Sequence, residues 1–159
     1  MENVEYSEWV PAGALVKGLF LMITSIIVLV TIAIFLFSQE LLVEDIFGLA
    51  FAWVILSFLL FIFWNYRGLR IQITNDTLYL NYGLFDKKSF LLKDIASCKK
   101  TKALGRYLGV GVRLGLDGSM AYTTSFATAV EVTPKVGRTF VFSSKNPDLI
   151  CELIAKNIR

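Results

Sequence analysis

The chain has 159 residues, of which 55% are hydrophobic and 18% charged, with a formal net charge of +3 and no histidine. Typical soluble domains carry about 25% charged residues, and the apolar excess lies in the first 66 residues, which indicates a membrane segment. The lack of histidine excludes Ser–His and Cys–His nucleophile pairs and histidine-bound metals.

Two uncharged apolar runs, Gly18–Ser38 and Ile46–Tyr66, are each 21 residues long. A helix of about 20 apolar residues crosses the hydrocarbon core of a bilayer, and neither run has the polar stripe of an amphipathic helix. The first run is too long for the apolar core of a signal peptide, and no small-residue cleavage site follows it. We therefore predict a transmembrane helical hairpin over residues 18–66, preceded by an N-terminal segment of residues 1–17.

Basic residues flank the outer ends of this hairpin and are absent from its connector, Gln39–Asp45. Residues 67–159 carry 15 basic and 7 acidic side chains, a net charge of +8. Because loops rich in Lys and Arg stay in the cytoplasm, we expect an integral plasma-membrane protein with both termini cytoplasmic. The expected anchors at the membrane interface are Lys17, Trp64, Tyr66, Arg67 and Arg70.

No pattern that carries catalysis is present. The aspartates Asp76, Asp86 and Asp117 fall in predicted turns, where Asp is common for its backbone hydrogen bonds. Cys98 and Cys151 are far apart and belong to no CxxC motif, so in a cytoplasmic domain they are expected to be reduced, inert thiols. We expect no enzyme, no cofactor, no metal site and no nucleic-acid partner.

Residues 67–159 are predicted to form a mainly β cytoplasmic domain. Apolar and polar residues alternate from Leu69 onward, and turn signals such as Asp117–Gly118 separate six or seven short strands. The period then changes, because Asn146 and Pro147 favour a helix start. The helix is expected to place one apolar face on the sheet, formed by Leu149, Ile150, Leu153, Ile154 and Ile158.

The order of several short segments resembles the bacterial and archaeal pleckstrin-homology-like (PH-like) family in its small membrane-anchored form. The segments are Ile73–Leu78 with Gly83, Gly109–Arg113, Ala129–Val132, Gly137–Phe140 and Ser144–Ile150. The resemblance covers Ile71–Ile158 and implies a bent antiparallel sheet, or half-open barrel, of about seven strands capped by the C-terminal helix. It implies no function, and the turn Thr74–Thr77 lacks the basic residues that phosphoinositide-binding relatives use.

The densest basic cluster is formed by Lys99, Lys100, Lys102 and Arg106. One interpretation is a solvated loop; the other is contact with anionic lipid head groups. The second is favoured by the short connection between the second span and the first strand, which keeps part of the domain near the bilayer. Each basic side chain close to an anionic surface contributes about 1 kcal/mol.

The resulting functional expectation is a non-catalytic, membrane-anchored PH-like module at the cytoplasmic face. Its expected role is to bind a protein partner, or another copy of itself, as an accessory subunit, assembly factor or scaffold, with membrane lipids as its other contact. The alternative is a domain that interacts with anionic lipid or senses envelope stress.

Overall fold

The computed structural model describes residues 4–37, 43–102, 109–115, 117–125 and 128–158. The chain divides into two compact units, which are described separately. A helical unit covers residues 14–65, and the residues on both sides of it, up to 13 and from 66, form a single second unit. We call this second part the β unit.

The helical unit contains α1 (Ala14–Phe37) and α2 (Val43–Asn65). Both are long and apolar enough to cross a membrane, although they begin and end a few residues from the predicted limits. The hydroxyls of Thr24 and Thr31 donate to carbonyls four residues earlier, so these polar groups are satisfied inside the helix. The rings of Phe20 and Phe63 stack at 4.2 Å between the two helices.

The first sheet of the β unit has the order β1-β2-β3-β4, and all its pairings are antiparallel. Its strands are β1 (Val4–Pro11), β2 (Gly68–Thr74), β3 (Thr77–Tyr82) and β4 (Asp86–Leu91). The predicted separation of residues 1–17 from the domain is therefore wrong, because β1 pairs along β2 from Pro11↔Gly68 to Val4↔Thr74. The sequence of β1 does not show a regular alternation of apolar and polar residues, because the inward-facing position between Tyr6 and Val10 is occupied by the buried carboxylate of Glu8.

The second sheet has the order β5-β8-β9-β7-β6, with one parallel pairing, β7 with β9. Its strands are β5 (Ile95–Lys102), β6 (Gly111–Leu114), β7 (Met120–Thr123), β8 (Thr128–Pro134) and β9 (Phe140–Ser143). The expected mainly β domain with a terminal helix is confirmed. However, the described strands form two sheets of four and five strands, where a single bent sheet of about seven was predicted.

A core of alternate strand residues lies between the elements of the β unit. Its largest fully buried side chains include Leu69, Ile71, Ile73, Leu78, Leu80, Val130, Val132 and Phe142, as the predicted alternation requires. The C-terminal helix α3 (Pro147–Ile158) adds Ile150 and Ile154 to this core. Leu149, which was also predicted to face the sheet, is 41% exposed.

Cys98 of β5 and Cys151 of α3 form a disulfide with a Cα–Cα distance of 5.3 Å. The expectation of separate, reduced thiols is therefore wrong in this structure. Sequence spacing concealed the pair, because 53 residues separate the two cysteines and only the packing of α3 on β5 brings them together.

Candidate binding site

β4 and β1 are the two edge strands of the first sheet, and no strand among the described residues pairs with the outer edge of β4. The Leu92 amide donates to the Asp76 carbonyl at 2.7 Å, which fixes the phase of the β3–β4 ladder. Backbone groups alternate in direction along a strand, so those of Lys87, Ser89 and Leu91 point away from β3. This edge can accept another strand.

A cleft of about 440 Å³ runs along this edge. One wall is the stretch Lys88–Leu91, and the other is the β8–β9 connection with the start of β9. Val136, at the tip of that connection, is 91% exposed. Val136 therefore adds an apolar side chain to the rim of the cleft.

The floor of the cleft is apolar and its charged groups are mostly basic. Phe90 and Phe140 lie 5.4 Å apart between ring centroids, and Met120 lines the same space. The cations are Lys88, whose Nζ lies 5.9 Å from the centre of the Phe90 ring, and Arg138; Asp94 contributes the one lining carboxylate. The cleft thus suits an extended chain that carries apolar and acidic side chains.

An aromatic row supports this floor from inside the β unit. Ring centroids are separated by 5.2 Å from Tyr66 to Tyr82, 5.8 Å from Tyr82 to Tyr122, and 4.8 Å from Tyr122 to Phe140. The Tyr82 hydroxyl donates to the Thr123 carbonyl at 3.1 Å. This bond joins the two sheets behind the cleft.

Burial raises the pKa of Tyr82 to about 12 from its ordinary value of 10.0. Between these two pH values Tyr82 loses its phenolic proton in the unfolded chain but keeps it in the folded chain. The contribution of this proton to the free energy of unfolding should therefore be fully present below pH 10 and should fall as the pH rises toward 12. Ultraviolet titration of tyrosinate should show a late step that Tyr82→Phe removes. Tyr79→Phe, on the same strand, should leave that step in place, and an unchanged titration of the Tyr82→Phe protein would contradict the assignment.

The predicted basic cluster is not a single positive surface. Lys99 lies 3.0 Å from Glu131, which is 7% exposed, and Lys100 lies 2.7 Å from Asp148 at the start of α3. Lys102 is exposed at the end of β5, and Arg106 lies outside the described residues. Two of the four predicted lipid contacts therefore hold carboxylates within the protein.

The predicted interface anchors belong to different parts of the fold. Lys17 is in the first turn of α1 and Trp64 in the last turn of α2. Tyr66 belongs to the β unit, where its hydroxyl donates to Asp86 Oδ2 at 2.7 Å, and this bond raises its pKa. The Arg67 carbonyl accepts a bond from the Ala12 amide, and Arg70 is exposed on β2 opposite Trp9.

The sequence pattern did not predict the cleft. Pro134–Gly137 has the composition of an ordinary turn, and Lys87 and Lys88 suggested only charge near the basic cluster. A signal was nevertheless present: Val136 is an apolar residue at a turn tip, where polar residues are usual.

The described residues contain no group of three or more acidic or cysteine side chains able to hold a metal ion. No protein-family model, curated protein or solved structure matches the chain.

Proposed function

We propose that this protein is a non-catalytic, membrane-anchored module whose β unit binds a partner protein at the surface of the plasma membrane. The observation that carries this proposal is the cleft beside the free edge of β4. The occupant we propose is an extended segment of a partner subunit that pairs with β4. A PH-like relationship is compatible with two sheets and a terminal helix, and it stays a proposal.

The membrane location is supported by where the apolar surface lies. No residue of α1 is buried within the protein, although the helix is apolar on every side, and lipid is the solvent that such a helix requires. The pairing of β1 with β2 supports two crossings, because it joins the chain before α1 and the chain after α2 in one folded unit. The net charge of +8 on residues 67–159 favours the cytoplasmic side.

Strand addition is supported by the backbone groups at Ser89. They point outward, and an incoming strand would bond to them as in other peptide complexes that extend a sheet. Apolar side chains of the partner would lie on Phe90 and Phe140, and acidic ones near Lys88 and Arg138. Membrane anchoring raises the local concentration of the two proteins, so a modest affinity suffices.

The alternative function, sensing of anionic lipid through the basic cluster, has less support. Lys99 and Lys100 are each engaged by a carboxylate, and a lipid phosphate would have to compete with it. Exposed ion pairs contribute little to stability, so such competition is feasible for Lys100. Glu131 is buried, and separating it from Lys99 would leave that carboxylate without its nearby cation.

The partner site is tested by photocrosslinking in native membranes. A photoreactive residue at Val136 should form an adduct with a partner segment in which apolar and acidic residues alternate. Ser89→Pro removes the outward amide donor and keeps the β3–β4 ladder, since edge strands tolerate proline there. We expect this change to lower the adduct yield about tenfold, the effect of losing roughly 1.4 kcal/mol.

Ser89→Ala is the matched control, because it keeps the amide and should leave the yield unchanged. Equal yields from the proline and alanine variants would refute strand addition. An adduct between two copies of this chain would refute a separate partner and assign the cleft to self-association.

A further inference from the structure

The connection between β3 and β4, residues Gly83–Phe85, is an apolar turn at a defined end of the β unit. Leu84 is 56% exposed and Phe85 71% exposed. Two large apolar side chains at the tip of one turn are unusual, because turn positions favour small and polar residues. Together they place a small apolar patch at the tip of this turn.

The turn lies at the end of the sheet where the chain enters and leaves the helical segment. Pro11 pairs with Gly68, Leu69 with Tyr82, and Tyr82 with Asp86. These pairs place the end of β1, the start of β2 and both ends of the turn at the same end of the sheet. The opposite turn, at Asn75 and Asp76, is polar.

A hydrogen bond fixes the turn close to the chain that follows α2. The Tyr66 hydroxyl donates to Asp86 Oδ2 at 2.7 Å, and Asp86 directly follows Phe85. The Ala12 amide donates to the Arg67 carbonyl at 2.8 Å, which extends the β1–β2 ladder to the same end. Only two residues separate α2 from β2 and only two separate β1 from α1, so the chain connects this end of the sheet to both helices.

We propose that Leu84 and Phe85 insert into the interfacial layer of the bilayer and form a second membrane contact besides the two helices. The occupant is lipid because the chain leaves this end of the sheet for α1 and returns to it from α2, and because Lys87, exposed on β4, follows the turn with a cation for head-group phosphates. Apolar side chains beside cations are the composition that interfacial binding requires. The inference rests on the proposed membrane-spanning role of α1 and α2.

The contact would fix the orientation of the β unit on the membrane. The two helices alone would attach the chain to the bilayer without fixing the tilt of the β unit. Insertion of the turn would restrict that tilt and hold the cleft beside β4 at a constant height. Its function is therefore to present the cleft and not to recruit the protein.

The test uses the full chain in lipid nanodiscs that contain a lipid with a paramagnetic label near its head group. The amide signals of Gly83–Phe85 should lose most of their intensity, while those of Asn75 and Asp76 should be unaffected. The double variant Leu84→Asp, Phe85→Asp should restore the turn signals. Leu114→Asp is the control, because it introduces the same kind of charge at an exposed leucine outside the turn. This change should leave the broadening of the turn signals unchanged.

The outcomes separate this inference from the proposed function. Broadening in α1 and α2 without broadening of the turn would refute turn insertion and leave the spanning helices in place. Failure of the label to broaden α1 and α2 would refute the membrane-spanning role, and the inference with it. Broadening of the turn that persists in the double variant would also overturn the role of the two side chains.

Discussion

Replacing Cys98 and Cys151 by serine should lower the free energy of unfolding of the β unit by about 4 kcal/mol relative to the oxidised protein. The disulfide closes a loop with a sequence separation of 53 residues, and the chain-entropy relation for a loop of that length gives this value. The measurement is amide hydrogen exchange of β9 in the full chain. Exchange through global unfolding should become roughly a thousandfold faster.

The oxidised protein treated with a reductant should behave like the double serine variant, which provides the control. If reduction leaves the exchange of β9 unchanged, the cross-link contributes nothing to stability and the prediction is wrong.

Alkylation of thiols in intact cells before lysis would also test on which side of the membrane the β unit lies. Disulfides are rare in the cytosol of most organisms, so cysteines blocked from alkylation would favour a β unit outside the cytoplasm, against the distribution of basic residues.

Glu8→Ala should destabilise the β unit by about 3 kcal/mol. The buried carboxylate accepts bonds from the Ser144 hydroxyl at 2.8 Å, the Lys145 amide at 2.7 Å and the Tyr6 hydroxyl at 3.1 Å. Removing a charged acceptor leaves these donors unsatisfied in a region that water reaches poorly, and such losses cost about 1.5–3 kcal/mol. Exchange of the α3 amides should report the effect, since Ser144 and Lys145 precede that helix.

Glu5→Ala is the matched control for Glu8→Ala, because Glu5 is exposed on the same strand. A surface change of this kind should alter stability by less than about 0.5 kcal/mol. Equal effects from the two variants would mean that Glu8 does not connect β1 to the start of α3. Glu8→Gln keeps a hydrogen-bond acceptor, so its loss of stability should lie between those of Glu8→Ala and Glu5→Ala.

The regular parts of the fold were predictable because burial imposes a period. Leu69, Ile71 and Ile73 alternate along β2 and all three are fully buried, as the sequence predicts. The C-terminal helix could be located from its proline and its apolar spacing. The two long apolar helices could be located from the sequence by counting consecutive residues without charge.

The remaining features depend on contacts distant in sequence. β1 was missed because Glu8 occupies a position where an apolar residue was expected, and its partners Ser144 and Lys145 lie near the other end of the chain. The same reason hid the disulfide and the ion pair of Lys100 with Asp148. The cleft depends on the β8–β9 connection lying opposite β4, which no local pattern records.

The interruption of the β1–β2 ladder by α1 and α2 has a consequence for biogenesis. β1 leaves the ribosome before the two helices, whereas β2, its neighbour in the sheet, emerges only after both helices have been made. If α1 alone entered the bilayer, the two strands would be on opposite sides and the sheet could not close. If α1 and α2 span the membrane as proposed, closure of the β1–β2 pair requires that neither helix enters the bilayer without the other, and a chain with only one helix inserted would expose the unpaired edge of β2 to quality-control proteases.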